Sequence, residues 1–202
     1  MTPAAYRRSI YTIGFVLGFV LMGFEMLSSR YLNPWFGSGI YTWAAIISVT
    51  LFALMVGYFL GGRLVDRAPS AGVLGILVLC AAVAMAAIPT LKDPMIEWVI
   101  VTFGDGRMGV TLATAGLIFV PLVLIACFSP FAVRLLLIST EASGRQTGMV
   151  YGISTCGNIL GVWVTTFYLV PAIGSNAITI IFAAITAVIA LALFAIGRRA
   201  PK

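Results

Sequence analysis

The chain contains no histidine among its 202 residues, and only 9% of them carry charge. Without imidazole there is no histidine ligand for zinc or haem and no histidine base near neutral pH. The three cysteines, Cys80, Cys127 and Cys156, lie far apart inside apolar runs. That is neither a disulfide framework nor a metal-ligand spacing. No nucleophile paired with a base, no carboxylate dyad and no phosphate-cradling loop is evident. Gly104-Asp105-Gly106-Arg107 is glycine-rich, but it reads as a short external turn with no soluble helix behind it. The expectation is a chain with no catalytic residues, no metal and no cofactor. Twelve basic against six acidic residues give a net charge of +6, yet the basic residues punctuate apolar runs instead of clustering. Nucleic-acid binding is therefore not expected.

What the chain has in abundance is apolar sequence: 61% of it is hydrophobic. A membrane-spanning helix needs about 20 mainly apolar residues. Six such runs are present, at residues 10–26, 41–60, 73–91, 111–128, 148–170 and 177–196, each bounded by charge, proline or glycine. The predicted fold is an all-α membrane protein, a single six-helix domain over residues 1–202. A cleaved signal peptide is the alternative for the first run, but no small-residue cleavage pattern follows it before Arg30.

Lys and Arg accumulate in short cytoplasmic loops. An N-terminus inside puts nine basic residues on the cytoplasmic side, Arg7, Arg8, Arg63, Arg67, Arg134, Arg145, Arg198, Arg199 and Lys202, and leaves three outside, Arg30, Lys92 and Arg107. Both termini are then cytoplasmic, as in a multi-pass protein of a bacterial inner membrane. The interfacial aromatics fall into two belts, with Tyr31, Trp35, Tyr41, Trp43, Trp98 and Tyr168 outside and Tyr6, Tyr11, Tyr58 and Tyr151 inside. Three outer connections are expected, at residues 30–40, 92–108 and 171–176, with 94–103 lying along the outer surface. Ser129-Pro130 either caps a new helix over 131–138 or kinks the fourth one.

Glu25 is the one acidic residue deep in an apolar run. An unpaired charge there costs about 3 kcal/mol on insertion scales. It marks either a proton or cation site or an ion pair with an arginine such as Arg30. Arg134 follows Pro130 among apolar residues, either as an anion or Asp66 partner or as a snorkelling interfacial arginine. The fifth run carries Gly148, Gly152, Gly157 and Gly161, small residues at a spacing that lets helix backbones approach, within one chain or across a homodimer seam. Among them, Asn158 brings an amide that either locks packing or lines a polar path. The candidate binding or translocation residues are thus Glu25, Arg30, Arg134 and Asn158.

Two stretches together resemble a known family. Phe24 to Ser38, with Tyr41-Thr42-Trp43 and Gly57 to Arg67, is similar to the start of the membrane region of bacterial spermidine-synthase-like integral membrane proteins. Ser129 to Leu135 and Gly144 to Gly161 are similar to its second half. In fused members a soluble aminopropyltransferase domain follows the helices. Nothing in residues 1–202 carries that domain, so the resemblance implies a non-catalytic membrane module. Such a module would act with a separate synthase-like protein or inside a larger membrane complex.

The inner-face stretch Gly61, Gly62, Arg63, Asp66 and Arg67 also resembles the loop after the second helix of major facilitator transporters, without the basic cluster that completes it. Six helices would equal half of such a transporter. That implies the alternative, a homodimer carrying a small cation, polyamines included, at Glu25. No internal repeat between helices one to three and four to six is evident in the residues. The topology is testable: alkaline phosphatase fused after Ser38 or Asp105 is expected to be active in a bacterial host, and inactive when fused after Ala68.

Overall fold

The computed structural model describes residues 2–136 and 143–199, and all regular structure among them is helical. Residues 137–142, the Arg199 side chain and the 200–202 tail with Lys202 lie outside the described residues. So does the end of the proposed 131–138 segment. The chain builds six long helices: α1 (Pro3–Phe36), α2 (Ile40–Arg67), α3 (Ala71–Phe103), α4 (Arg107–Leu136), α5 (Gly144–Ala172) and α6 (Ser175–Arg199). All six are long and apolar enough to cross a membrane, the architecture of a multi-pass membrane protein.

The helices outrun the predicted spans. α1 has 34 residues, about 50 Å at 1.5 Å per residue, against a hydrocarbon layer of about 30 Å. Residues 30–36, expected as loop, continue α1, because Tyr31 and Leu32 stay on its buried face. The expected surface segment 94–103 is likewise the last part of α3, which runs through Pro89 and Pro94. Each proline deletes one backbone donor, while the flanking turns keep their bonds and Ile96 and Val99 keep the helix packed. The connection expected at residues 171–176 shrinks to Ile173–Gly174, and those expected at 30–40 and 92–108 shrink to Gly37–Gly39 and Gly104–Gly106. The latter two begin with a glycine at positive φ, 73° at Gly37 and 79° at Gly104, whose N–H donates back to Asn33 or Ile100. A side chain at either position would strain the backbone.

Two helices change pitch locally. α4 takes a π-helical turn at Ala115–Phe119 and α5 another at Thr165–Leu169. Each ends two residues before a proline, Pro121 or Pro171, whose missing N–H breaks the ordinary ladder just there. At Ser129-Pro130 helix α4 does not start afresh. It is interrupted for one residue at Cys127, and Phe131 N–H still donates to the Cys127 carbonyl.

Packing is pairwise. α1 lies chiefly along α5, α2 along α4, and α3 along α6. This arrangement is unchanged when α1, α2 and α3 are exchanged with α4, α5 and α6, so the packing repeats although the residues do not. The close approaches repeat as well. A Cβ on Gly157 or Gly161 of α5 would collide with the carbonyl oxygens of Phe15 and Phe19 on α1. One on Gly57 or Gly61 of α2 would collide with those of Val123 and Cys127 on α4. In both pairs the residue numbers rise together, so the two helices run parallel.

The glycine series therefore divides. Gly157 and Gly161 pack within the chain, whereas Gly148 and Gly152 meet nothing within 4 Å. α5 is the least enclosed of the six helices, with Ile159, Trp163, Phe167 and Tyr168 outward. Overpacking of this kind costs about 1–3 kcal/mol. Gly157→Leu and Gly61→Leu are thus expected to lower the melting temperature in detergent clearly, while Gly148→Leu stays within about 0.5 kcal/mol of the parent.

Candidate functional site

Polar side chains in the interior collect where α1, α2, α4 and α5 meet. Glu25 lies beyond the middle of α1 and is 6% exposed. Its carboxylate faces the Thr50 side chain of α2, but the two do not reach hydrogen-bond geometry, and Thr50 Oγ1 is buried without a partner. Ser28 next to it turns its hydroxyl inward to the Glu25 carbonyl, 2.6 Å away. The single ion pair among the described residues is Lys92 with its neighbour Asp93, at 2.6 Å. Glu25 is therefore not paired with Arg30, which is exposed.

One turn and more toward the N-terminal end of α1, a cavity of about 60 Å³ opens between the same four helices. Gly14, Leu17, Gly18 and Leu21 of α1 line it, with Leu54 and Tyr58 of α2, Phe128 and Ser129 of α4, and Tyr151, Ser154, Thr155 and Asn158 of α5. Asn158, singled out in the sequence, leaves its Oδ1 buried and unpartnered there, as Ser154 does its Oγ. Among the described residues, α5 has four buried oxygens without a partner, on Gln146, Ser154, Asn158 and Thr165. Three of them stand opposite glycines of α1: Ser154 faces Gly14, Asn158 faces Gly18, and Thr165 faces Gly23. A glycine admits the helix but supplies no side-chain partner.

The remaining sequence candidates are not brought to this site. Arg134, Arg145, Arg63, Asp66 and Arg67 are all exposed, and Asp66 holds neither Arg134 nor Arg145 among the described ion pairs. Within the inner-face stretch, Gly61 is the seat for Cys127 and Pro130 of α4, while Gly62 contacts nothing within 4 Å. Tyr31, expected as an interfacial anchor, is instead 7% exposed and shares a 2.8 Å hydrogen bond with Thr179 of α6. Arg107 donates to the Tyr41 hydroxyl at 3.1 Å, tying the first turns of α2 and α4 together.

Thr50 and the glycines of α1 were missed in the sequence, and Tyr58 and Tyr151 were read there only as aromatics of the inner boundary. Thr50 looks there like any hydroxyl in a helix. Gly14 and Gly18 do carry the four-residue spacing that would have flagged them. Compared with protein-family models, with curated proteins and with solved structures, the chain gives no match.

The interhelical bond gives a stability test. Hydrogen bonds between membrane helices contribute about 0.6 kcal/mol on average and under about 2. Tyr31→Phe is expected to cost an amount in that range by thermal denaturation. Thr50→Val, which removes an oxygen that has no partner, should leave the melting temperature unchanged or slightly raised.

Proposed function

We propose that the chain is a non-catalytic, transporter-like module of a bacterial inner membrane, handling a small cation, a proton included, at Glu25. The observation that carries this is a carboxylate buried between α1 and α2 with no cationic partner among the described residues. A carboxylate kept only to pin helices would be expected to hold an arginine or a donor. This one faces an idle hydroxyl, and intramembrane ionisable groups mark ion or proton paths as a rule. The exchange pattern of the helix packing supports the likeness to one half of a major facilitator transporter, whose halves are built from inverted three-helix repeats. The arginine count supports placing both termini in the cytoplasm.

Such a half works with a second half, which here is a second copy or a protein partner. The resemblance to the membrane region of spermidine-synthase-like proteins favours a synthase-like partner and a polyamine as one cation to try. Purified protein in liposomes, with a pH gradient or labelled amine supplied on one side, tests the reading. Glu25→Gln is expected to reduce flux to the protein-free background. Unchanged flux in that variant removes Glu25 from the mechanism. Purification from native membranes in mild detergent should recover a second copy or a partner with the chain.

A further inference from the structure

The cavity and Glu25 share one seam. On α1, Gly14, Gly18 and Leu21 line the cavity, and Glu25 follows four residues after Leu21. Eleven residues separate Gly14 from Glu25, and at 3.6 residues per turn that returns to within about 20° of the same face. On α2 the order runs the other way, with Tyr58 and Leu54 lining the cavity and Thr50 following at the next turn beside Glu25. The cavity therefore lies directly between the carboxylate and the end of the bundle that carries the N-terminus. Leu21 and Leu54 separate the two.

The cavity itself is built for water. Ser154 Oγ and Asn158 Oδ1 are both buried there without a protein partner among the described residues, an arrangement that is unfavourable unless a solvent molecule fills the role. Its volume of about 60 Å³ exceeds the roughly 10–15 Å³ that one water needs, so a few fit. No charged side chain among the described residues lines it. Tyr58 and Tyr151 are among its lining residues, and their rings meet edge to face with centroids 6.4 Å apart. Both tyrosines are partly open to the outside, at 39% and 41% exposure.

We propose that this cavity is a hydrated antechamber through which protons reach Glu25 from the N-terminal end of the bundle, with the Tyr58 and Tyr151 rings as its lid and Leu21 and Leu54 as an apolar septum. The ligand is water: when Leu21 and Leu54 part, a hydronium in the cavity gives its proton to a carboxylate oxygen of Glu25, leaving water and a neutral carboxyl group, which releases the proton toward the opposite end of the bundle. The route rests on the reading of Glu25 given above; the hydration of the cavity does not.

X-ray radiolytic footprinting of the native protein in liposomes tests the hydration, because hydroxyl radicals formed from buried water oxidise the side chains that touch it. Leu17 and Phe128 face the cavity, while Leu74 and Phe131 are equally buried away from its lining, all at 3% exposure or less. Oxidation of Leu17 several-fold faster than Leu74, and of Phe128 several-fold faster than Phe131, is the expected result; equal rates within each like pair overturn the antechamber. In the second arm, Asn158→Leu fills the cavity. It is expected to bring Phe128 down to the rate of Phe131 and to slow proton flux several-fold. If oxidation falls but flux holds, the cavity does not serve Glu25 and the route is overturned. A fast native footprint combined with unchanged flux in Glu25→Gln sustains the hydrated cavity and removes the transport reading alone.

Discussion

Close backbone contact at glycine holds this bundle together. In an apolar surround, helices gain little by hiding apolar side chains from one another, so association depends on tight packing and a few polar contacts. Gly157 and Gly161 let α5 settle onto the carbonyls of Phe15 and Phe19, and Gly57 and Gly61 let α2 settle onto those of Val123 and Cys127. These two parallel pairs bring four helices around one common line. α3 and α6 pack chiefly on each other, with Gly75 set against Phe194 and Gly197 against Gly72.

The same contacts decide where polarity accumulates. Where a glycine admits a neighbouring helix, it removes the side chain that could have bonded to that helix. The side-chain oxygens of Ser154, Asn158 and Thr165 are therefore buried opposite Gly14, Gly18 and Gly23 without a partner among the described residues. Glu25 and Thr50 continue the line on α1 and α2. Other interior hydroxyls find partners: Thr114 and Thr186 donate to the carbonyl four residues back at 2.6 and 2.7 Å, and Tyr31 and Thr179 bond across helices. The contrast between these settled hydroxyls and the open seam sets the candidate site apart from ordinary helix packing.

The two π-helical turns and the interruption at Cys127 follow from proline chemistry, yet their places matter for the seam. The turn at Ala115–Phe119 ends at Phe119, whose ring stacks on Phe52 with centroids 5.5 Å apart. The turn at Thr165–Leu169 begins at Thr165, opposite Gly23. The break at Cys127 sits where α4 meets Gly61. Local departures from the ideal ladder thus coincide with the contacts that align α2 with α4 and α5 with α1.

Some of this was legible in residue order. Six apolar runs separated by charge and turn residues dictate six helices, because a backbone in hydrocarbon must satisfy its own polar groups. Glu25 stood out for the same reason, as did Asn158. The helix ends were not legible, since α1 and α3 run past Arg30, Pro89 and Pro94 on tertiary packing that no local signal reports. Nor could spacing tell which glycines would be used: Gly148 and Gly152 share the spacing of Gly157 and Gly161, yet a Cβ at either would meet no described atom within 4 Å. Sequence by itself determined the class of structure, the number of helices and the residues too polar to face lipid. The tertiary structure alone decided that Glu25 has no arginine paired with it among the described residues, that Asn158 lines a cavity, and that both lie on one seam. Those properties depend on which helix faces are brought together, and the pairing of faces is settled by packing between elements far apart in the chain.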